Sequence, residues 1–462
     1  MRQPDVVSPG RLAPRDLVSA LGPWRQSAPT LADALATTIR GAVVDGRLRV
    51  GGTLPSEREL AGTLRVSRGT LVSALVALRR DGWVETRHGS GSRLQLPEQV
   101  TGRTTPWTLD HPGAGLELDL THAVTAAPYG AVGAAARLAA DAVAPLLLDD
   151  GTSAAPDRSL REILAARYTA EGLPTTPSQI LLVAGARAAL HLLLDELHEH
   201  GRPVVVENPT YHGALAIIRA RTARLIPVPV VDGAWDLDAL TPSARGTLAY
   251  LVPDFHNPTG ALMSPAQRRA LGLAADRLDL TLVVDETMRE LDLRVPPEPV
   301  QRLVARNVVT VGTTSKTVWG GARLGWIRAA APLVARLRRN PLAFAVSPAP
   351  LTQLTAIPLL AGLDGLLIPR RALLRRQRDH LATLLAGGDW DFAVPDGGLT
   401  IWLHLHARSA RDVVERARRL GLALAPGTRF AADGGFTDRI RLPYTADEGV
   451  LARAVELLRQ AT

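Results

Sequence analysis

The sequence predicts two parts of different class: a small helical head ending in a β-hairpin, then a larger α/β body built on a mostly parallel sheet. Three observations carry this reading. Apolar residues recur at helical spacing between residues 31 and 78, with turn signals breaking the run into separate helices. Beyond residue 200, short β-branched runs alternate with helical stretches, which is the pattern of buried strands separated by helices. The third is chemical. Among 53 basic residues there is a single lysine, Lys316, so one amine is kept where arginine serves everywhere else.

The bulk numbers bound the function classes. At 462 residues the chain is long enough for two or three domains, and 46% hydrophobic with 21% charged residues is a globular composition. No uninterrupted apolar run approaches the ~18 residues of a membrane helix, and "MRQPDVVSPGRLAPRD" lacks the apolar core of a secretory signal. The absence of cysteine excludes disulfides, thiolate catalysis and cysteine-based metal sites. A bacterial cytoplasm is the expected compartment. Residues 1–97 hold fourteen arginines against eight acidic residues, which leaves only +2 of the net +8 for the rest of the chain. A basic head on a nearly neutral body points to a polyanionic partner for the head.

In the head, Leu31, Leu35, Ile39 and Val43 mark one apolar face of a first helix, which "RVGGTLP" stops. Ser56 with Glu59 three positions later reads as a capping box opening a short helix through Leu64. After the turn Arg65–Val66, Ser67 caps a third helix. Leu71, Leu75 and Leu78 line its buried side, with Thr70, Ser73 and Ala77 opposite. "GWVETRHGSGSRLQL" follows as a hairpin whose tip is His88-Gly89-Ser90-Gly91. Helix, helix, turn, helix and wing is the layout of a winged helix-turn-helix, with 30–97 as the DNA-binding domain. The candidate contacts to phosphates or base edges are Arg58, Ser67, Arg68, Thr70, Arg87, His88 and Gly89. Before it lies an arm, residues 1–29, where Leu17, Val18 and Leu21 fit either a short docked helix or a disordered segment. After it, 98–117 is rich in Pro, Gly and Thr and reads as a linker.

The body spans 118–462. "PVVVE", "LAYLV", "LTLVVDE" and "NVVTVG" read as strands, with helices such as 186–199 and 264–278 between them. Ligands of such sheets bind beyond the carboxyl ends of the strands, and that is where the polar residues of interest fall. Asp285 ends one strand, Asn257 and Tyr211 follow two others, and Lys316 and Arg323 follow a fourth. Gly185 and Ala186 open a helix whose free amides make an anion site. Together these meet the needs of pyridoxal 5′-phosphate (PLP). Lys316 supplies the amine for the aldehyde and Asp285 a carboxylate for the pyridine nitrogen. Asn257 is a donor for the ring oxygen and Tyr211 an aromatic face. The phosphate is expected on Arg323, Thr313, Ser315 and the helix start at Gly185, Ala186 and Arg187.

Two resemblances strengthen this. "LPSERELAGTLRVSRGTLVSALVALRRDGWVETRHGSGS" closely resembles the DNA-binding domain of GntR-family regulators, and the ordered set Tyr211, Asn257, Asp285, Lys316, Arg323 resembles the fold-type I aminotransferases. Joined in one chain they resemble the MocR-type regulators. That resemblance implies a PLP-dependent transcription regulator whose body senses PLP, or an amine or amino acid, through a Schiff base at Lys316. It also implies a head-to-tail homodimer, and a role for Arg441 in "IRLPY" as the grip on an effector carboxylate. Two positions depart from the aminotransferase pattern: Thr287 stands where a ring-oxygen tyrosine is common, and Arg187 where an amide or hydroxyl is common. Both argue against efficient turnover more than against cofactor binding, so half-reaction chemistry is the most the body is expected to do. The alternative is a genuine aminotransferase with an accessory DNA-binding head. A third reading keeps the fold without the cofactor. His404 and His406 would share one strand face but have no carboxylate nearby in sequence, so no metal site is expected there. His191, His198 and His200 read as solvated.

Overall fold

The structure, a computed structural model, describes residues 12–22, 24–25, 30–44, 48, 51–87, 91–95, 97, 116–148, 157–406 and 408–462. The chain divides into two compact units, residues 1–114 with 126–134 and residues 115–125 with 135–462.

The first unit is built on helices α1 (Pro14–Leu21), α2 (Leu31–Val44), α3 (Glu57–Leu64) and α4 (Arg68–Arg80), followed by β1 (Val84–Arg87) and β2 (Gly91–Leu94). The Ser56 hydroxyl accepts the Glu59 amide at 3.3 Å and the Ser67 hydroxyl the Thr70 amide at 3.0 Å, which satisfies first-turn donors of α3 and α4. Arg65 takes a left-handed conformation, φ 51°, to make the tight turn between the two helices. Leu35, Ile39, Leu71, Leu75 and Leu78 are buried in one core, whereas Leu31, expected on the same face, is exposed because it sits at the very start of α2. Leu17, Leu21 and Trp24 enter that same core, so residues set apart in the sequence as an arm are packed with the helices that follow. Arg25 reinforces the joint by donating to the Leu64 and Arg65 carbonyls at 3.0 and 2.8 Å, at the open end of α3. The strands β1 and β2 pair antiparallel with Arg87 opposite Gly91. The wing tip, His88 to Ser90, lies outside the described residues, as does 98–115 of the expected linker.

The second unit carries β3 (Leu118–Asp119), β4 (Ile180–Val183), β5 (Val204–Asn208), β6 (Leu225–Val231), β7 (Ala234–Trp235), β8 (Leu248–Leu251), β9 (Thr281–Asp285), β10 (Val308–Thr313) and β11 (Gly325–Arg328). All but β3 form one eight-stranded sheet in the order β4-β11-β10-β9-β8-β5-β6-β7. The middle, β10 to β6, is parallel throughout, as the β-branched runs predict. At the edges β11 and β7 run antiparallel, so the sheet is mixed. Apolar clusters fill both faces, against helices such as Ala186–Leu197 and Pro265–Leu278.

Toward the C-terminus, β12 (Trp390–Asp391), β13 (Thr400–Leu405), β14 (Leu422–Ala423), β15 (Ala425–Pro426) and β16 (Arg439–Pro443) follow. An antiparallel sheet β12-β13-β16-β15 packs on the long helix Leu363–Leu385 and the helix Glu448–Ala461. The early strand β3 pairs with β14, which brings residues 118–125 beside this late part of the chain. No single helix among the described residues is long and apolar enough to cross a membrane.

Candidate functional site

The strand ends of the parallel sheet deliver their polar residues to one place. A cavity of about 120 Å³ is lined by Gly185, Ala186, Arg187, Tyr211, Asn257, Asp285, Thr313, Ser315, Lys316 and Arg323, all ten of the residues singled out in the sequence for a cofactor, together with Thr287.

Asp285 is buried at the tip of β9. It accepts the Tyr250 hydroxyl at 2.6 Å and the Thr287 amide at 2.9 Å, both neutral donors. Burial pushes its carboxyl above the usual carboxylate range, while the donors from Tyr250 and Thr287 and the Lys316 charge oppose that rise. Such a carboxylate is poised to accept a cationic N–H. Lys316 sits just past β10. Its Nζ donates to the Ala123 carbonyl at 2.9 Å. Burial, helped by the positive field of Arg441 and opposed by Asp285, lowers the amine to about 8. An amine so tuned is partly neutral near physiological pH, which a nucleophile requires.

The end of the cavity at the helix start is shaped by backbone. Gly185 holds φ +106° and N-caps the helix Ala186–Leu197. Gly325 on β11 presses against it: a Cβ at 325 would lie 2.7 Å from the Gly185 carbonyl carbon. No larger residue fits there without displacing the helix start. The Thr313 hydroxyl donates to the Leu324 carbonyl at 2.7 Å and accepts the Ser315 amide at 3.2 Å. The Thr313 hydroxyl also lies 3.0 Å from the Ser315 hydroxyl, so the two side chains shape this loop together. Arg187 and Arg323 line the cavity as exposed side chains.

Tyr211 N-caps the helix His212–Arg219, and Gly213 makes room for its ring: a Cβ there would lie 2.5 Å from the Tyr211 hydroxyl. Arg441, on β16, is 1% exposed, stacks over Phe430 at 5.0 Å and donates through one terminal nitrogen to the Thr121 carbonyl. Its Nε is buried without a partner among the described residues, and burial beside Arg429 lowers the guanidinium to about 10. Arg441 is outside the lining of the cavity, and what links it to Lys316 is its field and a shared backbone segment, Thr121 to Ala123.

The chemistry of this donor set fits PLP. Among the described residues the Asn257 amide oxygen is buried without a partner, and a buried carboxylate held by neutral donors lines the same cavity. The one lysine reaches only a carbonyl, and the glycine-shaped helix start lies in the same cavity. Sequence reading missed Tyr250, Gly213, Gly325 and His212. Tyr250 looks like a core residue until β8 is seen beside β9. His212 is half-buried against Phe430 and held down to about 3 by desolvation and then Arg441, so its ring stays neutral.

In the first unit, Arg58 and, at the start of α4, Ser67 and Arg68 are exposed, and Thr70 is half-buried with its hydroxyl 2.8 Å from that of Ser67. Ser67 and Thr70 are therefore occupied at the start of α4, and among the described side chains of the set Arg58 and Arg68 are the cations without an ion pair. Arg87 ends β1, and His88 and Gly89 lie outside the described residues. Arg79, unforeseen, ties α4 to the wing and to α3 through Thr86 at 2.9 Å, Ser92 at 3.3 Å and Glu57 at 3.2 Å.

Comparison with known proteins adds to this geometry. Residues 151–458 match the family described as aminotransferase class I and II, and residues 31–94 match the bacterial regulatory proteins of the gntR family. The chain is 26% identical to the HTH-type transcriptional regulator YisV of Bacillus subtilis, over 92% of this chain and 94% of that protein. It is 28% identical to the probable rhizopine catabolism regulatory protein MocR of Rhizobium meliloti, over 63% of each. Among solved structures, LysN, an α-aminoadipate aminotransferase of Thermus thermophilus complexed with N-(5′-phosphopyridoxyl)-L-leucine, superposes with a TM-score of 0.66 at 25% identity, covering 79% of this chain and 96% of that one.

Proposed function

The chain belongs to the aminotransferase class I and II family and carries a gntR-family domain ahead of it, and from that premise we propose that it is a MocR-type transcription regulator that binds DNA through its head and senses PLP, with or without an amine or amino-acid effector, in the cavity around Lys316. One observation carries the reading. A single chain joins exposed arginines at the start of a recognition helix to a cavity that gathers its only lysine and a buried carboxylate.

Bound PLP supplies an aldehyde that condenses reversibly with primary amines. Lys316 is the anchoring amine, and Asp285 accepts from the pyridine nitrogen. Asn257 meets the ring oxygen and Tyr211 the ring face. Ser315, Arg323 and the helix start at Ala186 hold the phosphate, with Arg187 at the rim. Arg441 grips an effector carboxylate bidentately once it leaves Thr121. A homodimer in a bacterial cytoplasm is the working form in this reading. Thr287 in place of a ring-oxygen donor favours sensing over many cycles of turnover.

The test is DNA binding by the purified full chain to its own promoter region and to random DNA, at physiological salt, with and without PLP and amine. A preference for the promoter that shifts with PLP is expected; equal affinity for random DNA sinks the proposal. Arg68→Ala should weaken binding by about tenfold and reduce the slope of log affinity against log salt by about one. PLP binding in this variant should be unchanged, as read by absorbance.

The depressed Lys316 amine adds a pH signature. Neutral amine is scarce below pH 8 and complete above it. The rate at which PLP becomes trappable by borohydride should therefore climb about tenfold per pH unit below 8 and level off above. A rate still climbing at pH 10 would mean an amine in the ordinary lysine range.

A further inference from the structure

Away from the cavity, the edge of the C-terminal sheet gathers a second constellation. His404 and His406 are alternate residues of β13 and its end, so their rings share one face, with centroids 5.8 Å apart. The sequence offers no carboxylate near them, but the strand pairing does. Register places Asp391 of β12 directly opposite His404. Asp391 Oδ2 lies 2.6 Å from His406 Nε2, and one ligand atom each from Asp391, His404 and His406 lie within 4.8 Å of one another.

We propose that Asp391, His404 and His406 form a binding site for a divalent cation of the zinc class. Two imidazoles and one carboxylate are the ligand types that such ions take, and nitrogen ligands disfavour magnesium and calcium. Three protein ligands leave an open position for water.

The surroundings support a built site. Each imidazole also faces an outer carboxylate. Asp438 Oδ2 is 3.0 Å from His404 Nε2, and Asp389 Oδ1 is 3.5 Å from His406 Nδ1. Metal-binding histidines commonly turn their other nitrogen to such a partner, which fixes the ring and raises its basicity. The neighbouring cations face these outer carboxylates: Arg439 faces Asp438 at 3.7 Å and Arg408 faces Asp389 at 3.6 Å. Three carboxylates against two guanidiniums leave the neutral-imidazole cluster net negative. With bonds of about 2.0–2.2 Å to one centre, tetrahedral ligand atoms stand roughly 3.3 Å apart. Asp391 and His406 therefore separate by well under 1 Å to admit the ion, an adjustment open to side chains that are 73% and 43% exposed.

The site would clamp the two-residue strand β12 to β13, so binding has a readout independent of DNA and PLP. Titration calorimetry of the full chain with zinc chloride should give one equivalent per chain, and saturating zinc should raise the melting temperature. The double variant His404→Gln/His406→Gln, on the surface and outside both units' cores, should abolish the heat and the shift. Asp438→Asn should weaken binding by about tenfold. Magnesium should give neither signal. The proposal is overturned by the absence of zinc binding up to millimolar concentration, or by equal stoichiometry and shift in the double variant, which would place the ion elsewhere.

Discussion

Lys316→Ala is expected to abolish covalent PLP: after borohydride treatment the intact mass should show no pyridoxyl addition at this position, whereas the native chain should gain one. The effect is complete because no second lysine exists to substitute. The only other primary amine in reach of the reagent is the N-terminal one, which a peptide map separates. The fold should survive, since Lys316 is half-buried at the cavity wall and its single hydrogen bond goes to the Ala123 carbonyl. Melting temperature is therefore expected to stay within a few degrees. Promoter affinity in the absence of PLP should match the native chain, and its response to PLP should vanish. A variant that still responds in full would show that sensing does not pass through the amine.

Asp285→Ala is the second large effect. In the native chain a buried carboxylate stands ready for the pyridine nitrogen, already oriented by Tyr250 and Thr287. Removing one partner of a buried charged pair costs about 3–5 kcal/mol, and about 1.4 kcal/mol is a factor of ten. PLP affinity should fall on the order of a hundredfold or more, as read by absorbance titration. The empty protein should not suffer in proportion, because the variant also removes the burial of a charge. Tyr250→Phe keeps the carboxylate and loses one donor, so it should cost about 1 kcal/mol, roughly fivefold in the same titration. The pair separates charge from orientation. A Tyr250→Phe loss as large as that of Asp285→Ala would mean that the hydroxyl, and not the carboxylate, governs the ring.

Why one half of this site was legible and the other was not follows from where each signal lives. Lys316, Asp285, Asn257 and Arg323 are polar residues just past apolar strands, so a linear reading finds them, and parallel strand order then brings them together without further instruction. Tyr250 is an aromatic inside a strand and carries no local mark; only the pairing of β8 with β9 turns its hydroxyl into the partner of Asp285. The glycines at 213 and 325 likewise matter through what a Cβ would strike, which is a tertiary fact. The same holds for His404 and His406, unaccompanied in sequence and beside Asp391 in the sheet. In the head, capping residues and apolar spacing lie within one turn of each other, so every helix from α2 to α4 was readable. The short strands β12, β14 and β15 hold two residues each, too few for a period to appear.

The segment Thr121–Ala123 gives the cavity a threshold. Its carbonyls accept from Arg441 and Lys316, and it is itself pinned where β3 meets β14 and where Asp119 accepts the Thr121 amide at 2.8 Å. It behaves as a competitor tethered inside the protein, always present and never diluted. A hydrogen bond from a charged donor contributes about 1.5–3 kcal/mol, so breaking one without replacing it discounts a ligand's affinity by roughly one to two powers of ten. A molecule with an amine alone recovers nothing at Arg441 and forfeits that sum if it dislodges the guanidinium. One with both amine and carboxylate returns the bond in bidentate form. Under the proposed sensing role, this segment would filter small metabolites by the number of groups they carry, before any shape of side chain is felt.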